Sequence, residues 1–136
     1  MILVVCLDDR NGMTFLNRRL SQDSVLRGHI LKKSRESILW MNGYSARQFD
    51  EITDHMRVDE SFLKLAGAGE FCFVENVDVM PAVEKTEKLM IYHWNRQYPS
   101  DVKFPMTCFE DNMHLLSREE FAGSSHEKIT WEVYGL

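Results

Sequence analysis

The chain has 136 residues, 44% hydrophobic and 27% charged, with a net charge of −5. That length suits one domain with its own core, and the composition excludes a disordered or fibrous chain. No apolar run reaches the length of a membrane span, since the stretch that opens the chain is interrupted by Asp8-Asp9. The expectation is a cytoplasmic protein without a membrane partner. Three widely spaced cysteines, Cys6, Cys72 and Cys108, fit reduced structural thiols.

In chain order, Ile2–Leu7 is apolar and β-branched enough for a central strand. Asp8–Leu20 reads as a loop with Asn11-Gly12 as its turn signal. Ser21 is placed to cap a first helix over Gln22–Ser34, with Leu20 and Val25 positioned as a hydrophobic staple. Asp23 precedes Leu26 by three residues and Ile30 by seven, so it shares their inward face. A carboxylate there needs a partner or a function, or else serves only to complement the helix dipole.

Ser37–Met41 is a second strand, and Ser45 can cap a short helix whose Phe49, Ile52 and Met56 share a face. Asp59–Ala66 reads as a helix stopped by Gly67–Gly69. Phe71–Val74 is a third strand, Pro81–Glu87 helical turns, and Leu89–His93 a fourth strand. Two prolines, Pro99 and Pro105, make Asn95–Pro105 irregular. Met106–Ser117 and Lys128–Tyr134 end the chain, the latter with the strand alternation Ile129, Trp131, Val133. This order predicts a three-layer α/β/α domain with a mostly parallel central sheet and a C-terminal antiparallel hairpin. Ligands of such sheets lie at the carboxyl ends of the strands, where Asp8–Leu20 and Asp23 fall.

Seven of the sixteen Lys and Arg lie within residues 10–35, where Asp23 is the one acid. Such a patch suits a small anionic ligand, although a solvated helix face explains it too. Nucleic acid is the weaker partner for a chain that is acidic overall. The five histidines show no metal-ligand spacing, so no metal is expected. His93 fits a satisfied strand residue, and His126-Glu127 fits exposed polar residues at a strand start.

Several segments together resemble dihydrofolate reductase. The first strand, Gly12 and Arg18-Arg-Leu-Ser-Gln-Asp23 resemble its opening, with Asp23 on the acid that lies beneath the substrate pterin. Ser37-Ile-Leu-Trp-Met-Asn-Gly-Tyr-Ser45 resembles its second strand and Met-Gly-Arg-x-Thr cofactor motif. Lys88-Leu-Met-Ile-Tyr-His-Trp94 and Tyr98-Pro-Ser-Asp-Val-Lys-Phe-Pro105 resemble its late strand and Gly-Asp-x-x-Phe-Pro continuation. The segment from Ser124-Ser-His126 to Val133 resembles its last strand. The resemblance implies a catalytic role for Asp23 and a substrate pocket drawing on Val5, Leu7, Arg27 and Tyr92. Arg27 is also spaced to pair with Asp23 at i,i+4.

The chain departs from the family where the coenzyme binds. Glu75-Asn76-Val77 stands where a glycine-rich phosphate loop is expected, and Gly43 replaces the motif's arginine. Ser45 alone keeps the hydroxyl that a coenzyme phosphate would bond. The interval from Phe49 to Phe71 is too short for the whole adenosine-binding subdomain. The expected domain, residues 1–136, therefore lacks most of that subdomain and carries no cofactor. Three functions follow: a small-molecule-binding protein that has lost NADPH, an NADPH-dependent folate or pterin reductase using Asp23, or a homodimeric interaction module.

Overall fold

The first strand sets the frame. In the computed structural model, which describes residues 1–136, β1 (Ile2–Leu7) lies in the middle of a seven-stranded sheet. Leu3, Val4, Val5 and Leu7 have no solvent exposure. A strand covered on both faces needs such an unbroken apolar run.

Chain order continues with β2 (Gly12–Phe15), β3 (Arg18–Arg19), helix α1 (Ser24–Ser34), β4 (Leu39–Met41) and the short helix α2 (Gly43–Ala46). Then come β5 (Met56–Val58), the short helix α3 (Phe62–Leu65), β6 (Phe71–Phe73) and a 3-10 helix at Met80–Lys85. The chain ends with β7 (Lys88–His93), β8 (Val102–Lys103), a 3-10 turn at Met106–Cys108, β9 (His114–Phe121) and β10 (Ile129–Gly135). The large sheet runs β5-β4-β6-β1-β7-β10-β9. Its first five strands are parallel, and β10 and β9 close the edge antiparallel, as the sequence order predicted. No helix is long and apolar enough to cross a membrane.

Alternation along β1 divides the core. Leu3, Val5 and Leu7 pack with Phe62, Ala82 and Phe104 on one face. Val4 packs with Leu26 and Ile30 of α1, and with Phe73 and Tyr92, on the other. The period-2 geometry of a strand is what sends neighbours to opposite layers.

Several local expectations change. The N-cap of α1 is Asp23, whose side chain accepts from the N–H groups of Val25 and Leu26, so the helix starts two residues later than a Ser21 cap requires. The positions flanking this cap become Gln22 and Arg27, which join by a 3.3 Å hydrogen bond in place of an apolar staple. Ser45 lies inside α2, which Asn42 caps, and Met56 belongs to strand β5. Asp8–Leu20 is no simple loop, because β2 and β3 form a hairpin that pairs with β8 in a small second sheet. Asp101 anchors it, its carboxylate accepting from Leu16 N–H at 3.1 Å and its N–H donating to the Thr14 carbonyl.

The hairpin turn places Leu16 at φ 51° and Asn17 at φ 62°. Two left-handed central residues match the twist of a two-residue hairpin. Asn17 suits that region, while Leu16 is strained there and 70% exposed, so it gains little burial in return. Leu16→Asn is therefore expected to stabilise the protein by roughly 0.5–1 kcal/mol. Urea melts of the two proteins check this, and a lower midpoint for the variant would contradict it.

Candidate functional site

Asp23 is 2% exposed and surrounded by donors. Its Oδ1 accepts from the N–H groups of Val25 (3.0 Å), Leu26 (3.1 Å) and Ser124 (3.0 Å). Its Oδ2 accepts from Ser125 N–H (2.8 Å) and Oγ (3.2 Å) and faces His126 Nδ1 at 3.1 Å. The carboxylate thus ties the start of α1 to the turn at residues 123–126, itself closed by a Gly123 N–H bond to the His126 carbonyl. A side chain at Gly123 would collide with Asp23 Oδ2, so glycine is needed for this approach. Burial alone would raise the Asp23 pKa. The N–H groups of Ser125 and Ser124, the His126 ring and Leu26 N–H outweigh it and hold the carboxyl well below the usual range. An acid held ionised in this way is a poor proton donor.

The ionised Asp23 fixes a proton on His126 Nδ1, leaving Nε2 as an acceptor. Nε2 lies 3.0 Å from Ser21 Oγ and 3.0 Å from the Tyr98 hydroxyl. Trp94 stacks on the imidazole with centroids 4.5 Å apart. His126 is 9% exposed, so it is not the exposed strand-start residue that its sequence context suggested. It forms one wall of an open depression of about 680 Å³, shared with Trp94, Asn95, Arg96, Ser125, Glu127 and Lys128.

A second polar cluster lies at the carboxyl end of β6. Glu75, 9% exposed, pairs with Arg19 through two contacts, Oε2 to Nε at 2.9 Å and Oε1 to Nη2 at 3.1 Å. Ser45 Oγ donates to Oε1 at 2.7 Å, and Gln48 Nε2 does so at 2.9 Å. Arg19 also donates to the Tyr44 carbonyl, and its guanidinium lies 4.2 Å over the Tyr44 ring. Asn42 reaches Asn76 at 3.0 Å, fastening the segment after β6 to the start of α2. Between the clusters, Cys6, Met13, Leu20, Ser21, Val74 and Trp94 line a cavity of about 10 Å³. It is too small for an aromatic ring and has room for a single water at most. A larger cleft of about 540 Å³ opens beside the hairpin, lined by Phe15, Leu16, Arg18, Arg19, Leu20, Tyr98 and Pro99.

No family model matches the sequence, and no curated protein is similar enough to it to count as a relative. In structure, the chain is similar to dihydrofolate reductase from Enterococcus faecalis, solved with NADP(H) and RAB-propyl bound. The TM-score is 0.68 at 10% identity, over 98% of this chain and 94% of that one. The fold is that of dihydrofolate reductase. At this identity the likeness speaks for the fold alone.

Within this dihydrofolate-reductase-like fold, the residues expected to line a substrate pocket, Val5, Leu7, Arg27 and Tyr92, are dispersed. Asp23 and Ser45 lie in separate polar clusters. Val5 and Leu7 are fully buried on the face of β1 turned away from α1, whereas Val4 and Cys6 face the helix. Tyr92 is also fully buried, and its hydroxyl bonds His29 Nδ1 at 2.7 Å, not Asp23. Arg27 bonds Gln22 and forms no ion pair with Asp23, because the acid's oxygens are already occupied from the helix start and the 123–126 turn. His93 is satisfied by Glu132 at 2.6 Å. Ser21, Tyr98, Ser124, Ser125 and His126 were missed as site residues. The one local signal was Gly123-Ser124-Ser125, a small-residue turn rich in donors.

Asp23→Asn puts an amide NH₂ among donors and removes the charge they surround. We expect a loss of about 2–4 kcal/mol at neutral pH, measured by urea unfolding. The folded pKa is depressed, so the Asp23 contribution is fully present above the unfolded pKa of about 4 and is lost as pH falls toward the folded value. The gap between wild type and variant is therefore expected to narrow in melts below pH 4. A gap independent of pH would contradict this account.

Proposed function

We propose that this protein binds a small, anionic molecule without using a nicotinamide dinucleotide. The Glu75 carboxylate carries the reading. It occupies the Ser45 hydroxyl and the Arg19 guanidinium, the kinds of group that would hold a phosphate. To admit a diphosphate, Glu75 would have to leave a largely buried ion pair, a separation of the order of 3–5 kcal/mol, or stay and repel the incoming charge. The small cavity between the two clusters further supports a protein that does not seat a pterin against a coenzyme.

The hairpin cleft is the better binding surface. Leu20, Tyr98 and Pro99 offer apolar area, and the exposed Arg18 supplies a cation that no acid pairs. Both features suit a small molecule with an aromatic or alicyclic body and a negative group. NADPH fluorescence titration is expected to show no saturation into the high micromolar range. A micromolar dissociation constant for the wild-type chain would overturn the reading in favour of a reductase. A ligand that raises the melting temperature is expected to lose most of that effect in Arg18→Ala.

A second reading, a homodimer, rests on β9. It is an eight-residue edge strand with all but its last residue exposed, including Leu115 at 52% and Leu116 at 50%. Sedimentation velocity decides it, and a monomer at high micromolar concentration would remove it.

A further inference from the structure

The geometry points to a second chemistry at this site: Ser21 is a nucleophile activated by His126, with Asp23 orienting the base, in a relay fitted to hydrolyse small carboxylic esters that carry a negative charge. Ser21 Oγ lies 3.0 Å from His126 Nε2, and His126 Nδ1 lies 3.1 Å from Asp23 Oδ2. Nucleophile, base and orienting acid thus stand in line, each within hydrogen-bond reach of the next. Such a relay is recognised by geometry and roles, not by chain order. The inference goes beyond coenzyme-free binding and does not depend on it, since none of the relay's polar contacts involves Glu75, Ser45 or Arg19.

Two further observations separate this arrangement from a simple tie between loops. The first is that the base is locked. Trp94 stacks on the imidazole, and Asp23 is itself held by four backbone N–H groups, so Nε2 stays directed at the hydroxyls. The second is that Ser21, although its own cavity holds one water at most, retains partial solvent exposure between two larger openings. Leu20 and Tyr98 line the hairpin cleft on one side, and His126 lines the broad depression on the other. Arg96, Glu127 and Lys128 are exposed at that depression; Lys128 pairs with Glu120 at 3.7 Å, so Arg96 is the cation left to meet an ester bearing a carboxylate or phosphate.

In the reaction, Ser21 Oγ bonds to the ester carbonyl carbon while its proton passes to Nε2 and the carbonyl electrons move onto oxygen. Donors are at hand for that oxyanion. The Tyr98 hydroxyl, 3.0 Å from Nε2, is free to turn once Nε2 carries a proton, and the N–H groups of Ser21 and Gln22 donate to no group of the protein. Collapse breaks the carbon–oxygen bond to the alcohol, which takes the proton from Nε2. Water then adds to the acyl-Ser21 carbonyl, giving its proton to Nε2. Collapse releases the acid, and Ser21 Oγ recovers the proton. Ester and water become acid and alcohol, with no change of oxidation state.

The test is covalent. The 136-residue chain is treated with a fluorophosphonate, and the modified residue is located by peptide mass spectrometry, with p-nitrophenyl acetate hydrolysis followed in parallel. Phosphonylation is expected at Ser21, at least 100-fold slower in His126→Gln and absent in Ser21→Ala. Ester hydrolysis is expected to fall at least 100-fold in Ser21→Ala, whose circular dichroism and melting temperature show whether it remains folded. Wild-type protein that is folded yet unmodified at Ser21 overturns the proposal, as does a folded Ser21→Ala that hydrolyses the ester at the wild-type rate. Neither result bears on the coenzyme reading, which NADPH titration alone decides.

Discussion

One carboxylate joins two parts of this chain separated by a hundred residues. Asp23 caps α1 and also gathers the N–H groups of Ser124 and Ser125 and the ring of His126. A buried charge is tolerable only when its hydrogen-bonding capacity is filled, and here both oxygens are filled from two directions. The contact sets the position of α1 over β1 and the path of the chain into β10. It also faces His126 Nδ1, on the ring whose Nε2 lies 3.0 Å from both the Ser21 and the Tyr98 hydroxyl. Stability and chemistry at this end of the sheet therefore share one group.

A second carboxylate has the opposite effect a short distance away. Glu75 lies at the carboxyl end of β6, where parallel sheets of this kind commonly offer backbone N–H groups to an anion. The protein places its own anion there. Ser45, Gln48 and Arg19 surround Glu75 as they would a bound acid, and the cavity beside them is about 10 Å³. The fold is shared with dihydrofolate reductase, while the polar groups at the strand ends are arranged around internal acids. The same scaffold can thus carry different polar sites, because the sheet fixes where side chains stand and not which ones they are.

Much of the architecture is legible in the chain. The unbroken apolar run of β1, the alternation of β10 and the succession of strands and helices suffice for a parallel sheet with an antiparallel edge. What failed were short elements with weak local signals. The hairpin of β2 and β3 carries Leu16 where a turn normally carries glycine or asparagine, so its sequence does not announce it. Asp59–Ala66 looked like a longer helix, yet only Phe62–Leu65 is helical, because Phe62 alone of that helix is wholly buried. Packing, not propensity, limits so short a helix. The cap of α1 moved from Ser21 to Asp23 because the acid can satisfy the helix start and the distant turn together.

By itself the sequence determined the layers, the centre of the sheet, the inward acid and a segment after β6 that is not glycine-rich. These follow from local hydrophobic period and residue type, which act over a few positions. Only the tertiary structure decided what Asp23 and Glu75 touch. His126 meets Asp23 across 103 positions, and Glu75 meets Arg19 across 56. No local pattern encodes such a meeting. It arises when the sheet closes and each buried charge must find the donors that topology brings within reach.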